Sequence, residues 1–386
     1  MSEQFVHPGL KSSDGSLASH YDLGLLDLDG VVYRGKDPVE NAVEGISAAV
    51  TDGMNISYTT NNSSRDQKTV AAQIASFGLT VTPEQIITSS IAAARMLSHH
   101  LPKGSRVLCI GAEHLRTEVR KLGFTLVDDV TEKPQAVIQG WHPQITWQEL
   151  AQAAFAVEAG AQYFVTNRDL TIPREYGIAP GSGSLVRAVI TATGVEPVAS
   201  AGKPEAAMYD EMRSMYADEG YDLVPTELSL PVGDRLDTDI EAANRGGYDS
   251  LVVLTGVADP RQLMLAEPLQ RPTYISQDLR GLAQTHHAPE HVGENRYRLG
   301  SMVAQYSQGS LIVASLDSAQ WHDAISTDTG SSEGADGVRL STSAGNVALH
   351  SLDALRAACA LSWSLADRGI DMSSANLPHF ASVLDE

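Results

Sequence analysis

The chain has 386 residues, long enough for two or three domains, and its 48 acidic against 27 basic side chains give a formal charge of −21. So acidic a surface excludes a nucleic-acid or anionic-membrane partner held by bulk electrostatics, and an anionic substrate would need a local cation. Two cysteines, Cys109 and Cys359, exclude a disulfide framework and a thiolate metal cluster; with a polar N-terminal stretch and no run of about 18 apolar residues, the expectation is a cytoplasmic protein that neither enters nor spans a membrane.

From Tyr21 onward, short apolar runs alternate with longer amphipathic ones, the pattern of βα units around a parallel sheet. "DLGLLDLD" predicts a first strand. "VENAVEGISAAVTDG" predicts a helix carrying Val39, Val43, Ile46 and Val50 and ending at Gly53, and "NISYTTNN" predicts a second strand. From about Ile86 to Ser182, the strands "RVLCIGA", "AVIQGW" and "AQYFVTN" alternate with helices as an α/β insertion with its own core. "TELSLPVGD", "TDIEAANRGG" and "SLVVLTG" repeat the strand, turn, helix and strand pattern, which "RPTYISQDLRGL" closes at Leu282.

"AQTHHAPEHVGENRYR" is polar and contains a proline, as linkers do. His287 and His291 lie four apart, but Pro289 disfavours the helix that would align them on a metal, so they too read as linker. Beyond it, "SMVAQYSQGSLIVASLD" predicts a hairpin turning near Gln308 and Gly309, "GSSEGADG" a loop, and Ser351 the N-cap of a helix ending at Gly369. The predicted division is a core of residues 1–85 and 183–282, an inserted domain of 86–182, and an α+β C-terminal domain of 283–386.

In an open parallel sheet, ligands bind beyond the carboxyl ends of the strands, where loops converge. Four polar turns adjoin such ends: Asp27 with Asp29, "TTNNSS", "SAGKPEAAMYD" and "VGDRLDTD". A lone Asp-x-Asp-Gly is most simply a helix cap or solvated turn. An EF-hand is excluded because Val32 and Pro38 occupy the positions that need glycine and glutamate. Two carboxylates at a buried strand end are costly unless a cation neutralises them, which a hard ion such as Mg²⁺ does through oxygen ligands; Asp234 and Asp239 offer two more. Lys203, at a loop-to-helix step, and Thr60 with Asn61 suit a phosphate, for which a lysine and neutral donors form a cradle. Spacing leaves open which of Asp27 and Asp29 reacts.

"DLDGVVYRG", "TTNNSSR", "AGKPEAAMYD" and "VGDRLDTDI", in that order from Tyr21 to Leu282, resemble the four motifs of the haloacid dehalogenase superfamily of phosphohydrolases. They most resemble the branch with a large α/β cap between the second and third motifs, home of 4-nitrophenyl phosphatases, phosphoglycolate phosphatases and related nucleotide and sugar phosphatases. The resemblance implies a Rossmann-like, doubly wound parallel sheet with the insertion as cap. It implies Asp27 as the nucleophile that becomes an aspartyl-phosphate, and Asp29 as general acid and then base, touching the metal through its carbonyl. Thr60, Asn61 and Asn62 would hold phosphoryl oxygens, and Lys203 would steady nucleophile and phosphate. Mg²⁺ would sit among Asp27, Asp29, Asp234 and Asp239, the last orienting metal-bound water.

Within the insertion, "YFVTNRDLTIP" resembles the cap loop that faces the active site in this branch, making Asn167, Arg168 and Asp169 candidates for substrate contact. His142 in "GWHPQITW" stands where the branch usually has aspartate, and is a further candidate. "GSGS" near Gly181 is no dinucleotide fingerprint, since Val186 occupies the third glycine position.

The added C-terminal domain is similar in its placement to that of the actinobacterial glycerol 3-phosphate phosphatases, whose tail looks like part of an acetyltransferase. No Arg/Gln-x-x-Gly-x-Gly/Ala run lies between Gly300 and Glu386, so the expected role is structural or regulatory. The expected activity is Mg²⁺-dependent hydrolysis of a small phosphorylated metabolite, glycerol 3-phosphate first, with 2-phosphoglycolate, 4-nitrophenyl phosphate and nucleoside monophosphates behind it. The alternative of another class is a phosphate sensor or interaction protein working through the C-terminal domain. Neither nucleic acid nor membrane is an expected partner, and homo-oligomerisation is left open.

Overall fold

The computed structural model describes residue 7 and residues 9–174, 176–315 and 351–380. Its centre is a six-stranded parallel sheet in the spatial order Tyr274–Ser276, Leu251–Val253, Ser229–Gly233, Leu23–Asp27, Asn55–Thr60, Ile86–Thr88. The chain winds outward from Leu23–Asp27 in one direction and from Ser229–Gly233 in the other. The order therefore reverses between these two neighbours, the place where such sheets open a crevice for ligands.

Alternation along the first strand assigns its faces. Leu26 and the following Leu28 join the core beneath the helices Ala42–Thr51 and Gln67–Ser76, while Leu23 and Leu25 join the core beneath Ser89–His100 and Ala207–Asp218. Helices on both faces make the sheet doubly wound, as expected. The first helix is shorter than its apolar pattern suggested: Val39 precedes it, Val50 is exposed, and Ala42, Gly45, Ile46 and Ala49 form the buried face. Gly45 sits against the backbone of Leu279, where a Cβ would lie 2.4 Å from the carbonyl carbon. Close approach of two backbones, not side-chain bulk, selected that face.

The insertion builds a second parallel sheet of five strands, Ala199–Ser200, Gln162–Val165, Ala136–Gln139, Arg106–Ile110 and Thr125–Val127. Its extent differs from the sequence division at both ends. Ile86–Thr88, assigned to the insertion, pairs with Asn55–Thr60 as an edge strand of the core sheet. The helix Ser182–Thr193, assigned to the core, packs Val186 and Val189 among insertion residues, and Ala199–Ser200 extends the insertion's sheet. Both segments are too short or too amphipathic to declare a sheet from sequence; pairing partners decided.

The C-terminal region is α+β among the described residues: a four-stranded antiparallel sheet of Glu290–Gly293, Arg296–Leu299, Met302–Ser307 and Ser310–Ser315, with the helix Leu352–Asp367 packed on it. The hairpin turns at Gln308 and Gly309, both with positive φ, and Ser351 caps the helix as its sequence indicated. The "GSSEGADG" segment lies outside the described residues. The polar linker expected from Ala283 instead contains two strands, with His291 packed across the ladder against Tyr297. An outer hairpin half open to solvent needs few apolar residues, which hid it.

This region is built onto the core. Leu263, Met264 and Ile275 share one hydrophobic cluster with Val313, Leu355 and Leu361. Trp363 Nε1 donates to Leu263 O at 2.8 Å and Ser362 Oγ to Met264 O at 2.6 Å. Arg356 closes the open edge of the Tyr274–Ser276 strand by donating to Ile275 O at 2.6 Å.

The same guanidinium donates to His286 Nδ1 at 3.2 Å, so His286 must be neutral there, with Nε2–H donating to Gly281 O at 2.9 Å. Burial, and Arg356 beside it, push the His286 pKa from 6.5 down to about 4. The unfolded chain takes a proton near 6.5 and the folded chain only near 4, so stability is full above that window and falls by roughly 3 kcal/mol as pH drops through it. His286→Gln, which can accept from Arg356 and donate to Gly281, is expected to flatten the pH dependence of unfolding free energy between these values; an unchanged slope would remove His286 as its source.

Candidate active site

Four loops at the carboxyl ends of the core strands bring together residues far apart in sequence. Asp27 ends the first strand; Thr59 and Thr60 end the second; Lys203 follows the last strand of the insertion; Asp234 follows Ser229–Gly233, and the single irregular turn Leu236–Ile240 carries Asp239. Carboxylate oxygens of Asp27, Asp234 and Asp239 lie within 4.8 Å of one another. Lys203, 2% exposed, places its ammonium among them: Nζ donates to Asp27 Oδ1, to Asp239 Oδ1 at 2.6 Å and to Thr59 Oγ1 at 3.5 Å.

One buried cation against three carboxylates leaves excess negative charge. Burial pushes the Asp27 carboxyl well above the usual carboxylate range, and Asp239 and Asp234 add to this against the pull of Lys203. Asp234 is raised by burial and by Asp239. Burial opposes the charge on Lys203, but Asp239 and Asp27 outweigh it and hold the ammonium protonated. The charge is arranged for a further cation.

The donor set fits a hard divalent ion. Both Asp239 oxygens are engaged, Oδ1 by Lys203 and Oδ2 by the Arg235 N–H at 3.1 Å. Asp234 Oδ2 accepts from the Val257 N–H at 2.8 Å, whereas Asp234 Oδ1 is buried without a hydrogen-bond partner. An orphaned buried carboxylate oxygen is expensive unless something cationic meets it. Two glycines make the room: a Cβ on Gly256 would lie 1.8 Å, and one on Gly30 2.5 Å, from Asp234 Oδ2.

Asp29 is solvent-facing on the turn after the first strand and is not one of the three converging carboxylates. Burial nevertheless raises its pKa, against the nearby Arg34.

The residues expected to hold phosphate divide by what they already bond. Thr60 Oγ1 accepts from the Asn62 N–H at 3.2 Å and keeps its hydroxyl proton for an acceptor. Asn62 Oδ1 is taken by the Ser64 amide and hydroxyl. The Asn61 side chain is consumed entirely by protein partners: Oδ1 accepts from Lys203 N at 2.9 Å, and Nδ2 donates to Lys203 O at 3.0 Å and to both Asp169 oxygens at 3.2 Å. Asn61 is thus a clamp joining the second strand's loop, the lysine loop and the insertion.

Asn167 belongs to the same clamp, its Nδ2 donating to Asn61 O at 3.0 Å. Burial raises the pKa of Asp169 against the Asn61 hydrogen bond. Arg168 points elsewhere, to Glu196 at 3.3 Å, and lines a separate cleft of about 460 Å³ with His99, His100 and Ser200. His142 Nε2 bonds Glu149 Oε1 at 2.9 Å, and Glu149 closes the capping box of the helix Trp147–Glu158; this imidazole serves the insertion's own architecture.

Hydrogen bonds to charged groups contribute about 1.5–3 kcal/mol. Asp169→Ala should therefore weaken closure of the insertion over the site and raise KM about tenfold in steady-state kinetics; an unchanged KM would make Asp169 a bystander.

Sequence reasoning missed Thr59, the Val257 amide, and Thr255, whose hydroxyl donates to Gly30 O at 2.7 Å. The signal was present, because "LTGVADP" follows the apolar run Leu251–Val253 and strand ends of this sheet all open on one crevice.

Residues 24–125 match the family described as haloacid dehalogenase-like hydrolase, and residues 200–282 match HAD-hydrolase-like. The D-glycerol 3-phosphate phosphatase of Mycobacterium tuberculosis is 43% identical over 269 residues, 70% of this chain and 73% of that protein. The chain belongs to the haloacid dehalogenase-like hydrolases. The 5'-nucleotidase YutF of Bacillus subtilis is 34% identical over 66% of this chain and 94% of its own. Among solved structures, the glycerol phosphate phosphatase of M. tuberculosis in complex with magnesium superposes with TM-score 0.71 at 34% identity, covering 91% of this chain and 92% of that one. The p-nitrophenyl phosphatase of Archaeoglobus fulgidus gives 0.62 at 28% identity, covering 68% of this chain and 98% of its own. The phosphatase core and cap are thus shared with the shorter relatives, while the mycobacterial structure aligns over most of the full length. Among the described residues no helix is long and apolar enough to cross a membrane.

Proposed function

We propose that the chain is a Mg²⁺-dependent phosphomonoesterase that cleaves glycerol 3-phosphate through an aspartyl-phosphate at Asp27. The observation that carries this is the convergence of the Asp27, Asp234 and Asp239 carboxylates, two of them bonded by the Lys203 ammonium, with one buried Asp234 oxygen left unpartnered. Asp27 and Asp234, with the Asp29 carbonyl, would hold Mg²⁺, which when bound neutralises the carboxylates and the incoming phosphate.

The protein's own groups supply the rest. Asp27 attacks phosphorus with its outward oxygen while Lys203 holds the other. Thr60 donates its hydroxyl to a phosphoryl oxygen, and Lys203 takes up charge as the P–O bond breaks. Asp29, at the mouth of the site, gives its proton to the departing alkoxide and then takes one from the water that opens the acyl-phosphate. Positioning and charge neutralisation are most of what phosphoryl transfer asks of a protein, and this crevice is arranged for both. The Asn61–Asn167–Asp169 clamp draws the insertion over the site and keeps out large acceptors while a water can still enter, favouring hydrolysis over transfer.

Glycerol 3-phosphate is favoured by likeness to a mycobacterial phosphatase of that substrate through both core and C-terminal region. Phosphate release should be measured with Mg²⁺ on glycerol 3-phosphate, 2-phosphoglycolate, 4-nitrophenyl phosphate and nucleoside monophosphates. Glycerol 3-phosphate is expected to give the highest kcat/KM. A different leading ester would reassign the substrate, and no release from any would end the enzyme reading.

A further inference from the structure

We infer that Arg34 is a positioning residue for the proton-donating Asp29, holding its turn against the loop that carries the Asp234 contacts. The inference rests on the phosphomonoesterase reading above.

Asp29 is solvent-facing, so side-chain packing cannot fix where its carboxyl points; the backbone of its turn must. That turn is short. Gly30 N donates to Tyr33 O at 2.9 Å, Asp29 bridges to Tyr33, and the chain reverses at once in the two-residue ladder of Tyr33–Arg34 with Asp37–Pro38. A hairpin of that size has little stability of its own.

Val31, Val32 and Tyr33 seat it on the core and Gln73 Nε2 donates to Gly35 O at 2.8 Å, but two contacts tie it to the Asp234 loop, both on Thr255. The Thr255 hydroxyl donates to Gly30 O at 2.7 Å, and Arg34 Nη2 donates to the Thr255 carbonyl. Two residues on, the Val257 N–H holds Asp234 Oδ2 at 2.8 Å. The acid's turn and the Asp234 loop therefore move as one piece. Of the two ties to that loop, Arg34 supplies the one farther along the turn from Asp29, so that the turn is set against the Asp234 loop at both ends of the hairpin's first strand.

Misplacing an acid has a selective consequence. An alkoxide leaving group needs a proton as the P–O bond breaks, whereas a nitrophenolate leaves without one. A fault in the nucleophile, the phosphate contacts or the metal ligands slows transfer from both kinds of ester, but a fault in the acid's position slows transfer only from the alkyl ester. The later attack of water, for which Asp29 is the base, is common to both and lies outside kcat/KM, which reports the steps through departure of the leaving group.

The experiment compares kcat/KM for glycerol 3-phosphate and 4-nitrophenyl phosphate in wild type, Arg34→Ala, Arg34→Lys and Thr255→Val, with saturating Mg²⁺. Wild type must hydrolyse both esters; failure on both would overturn the phosphatase reading itself, not the role of Arg34. In Arg34→Ala the alkyl-to-aryl ratio of kcat/KM should fall about tenfold or more. Arg34→Lys, which can still reach the carbonyl with an ammonium, should recover most of the ratio. If Arg34→Ala does not fold, Thr255→Val removes the other tether and should lower the ratio in the same direction. Equal losses of kcat/KM on both esters, or a ratio unchanged in Arg34→Ala and Thr255→Val alike, would overturn the inference.

Discussion

Replacing Asp27 by asparagine is expected to lower phosphate release at least about 10⁴-fold while leaving the fold and divalent-ion binding in place. The amide has the shape of the carboxylate but no anionic lone pair to attack phosphorus, so the covalent route closes. The scaffold should survive because Lys203 keeps its 2.6 Å bond to Asp239 and its backbone ties to Asn61. One carboxylate fewer also lessens the negative excess around the single ammonium. The measurements are single-turnover phosphate release and acid-quench trapping of labelled phosphoenzyme. Trapped label in wild type but not in the variant is the expected pair of results; retained turnover and label would move the nucleophile to Asp29.

The sequence exposed the cluster of Asp27, Asp234, Asp239 and Lys203 better than its surroundings, for a physical reason. Strand-end acids such as Asp27 and Asp234 stand out because charge following a buried apolar run costs energy unless it does something. Lys203 stood out only in company with them. What could not be read were roles that depend on pairing in space. Asn61 looked like a phosphate donor, and its side chain turns out to be spent holding Lys203 and Asp169 together. Arg168 and His142 looked like substrate contacts and are engaged by Glu196 and Glu149.

The same limit governed the boundaries. The three-residue run Ile86–Thr88 and the two-residue Ala199–Ser200 carry no period of their own, so their sheets were decided by the neighbours they found. The C-terminal region showed its helix and hairpin by pattern but not its attachment. Deleting everything after Leu282 would uncover Ile275, Leu263 and Met264 and leave the Ile275 carbonyl without Arg356. Loss of activity in such a truncation would report damage to the core sheet's edge before it reported any signalling role.

The second large effect is expected at Lys203. Its ammonium is the one cation among the described residues that directly bonds these carboxylates, and it is almost fully removed from solvent. Lys203→Met keeps the length of the side chain and removes the charge, leaving Asp27, Asp234 and Asp239 to repel one another in a dry crevice. Breaking a buried ion pair from one side typically costs about 3–5 kcal/mol because the surviving charge is stranded. The loss should be largest without metal and partly recovered by Mg²⁺, since a divalent ion supplies the compensation the lysine no longer gives. Turnover should stay low even then, because a phosphate dianion would approach Asp27 without the ammonium that steadies nucleophile and phosphate together. Thermal unfolding of wild type and variant, with and without Mg²⁺, checks this: the metal should raise the variant's Tm by more than it raises the wild type's. An equal rise in both would mean that Lys203 stabilises the crevice by packing, and that charge balance is set elsewhere.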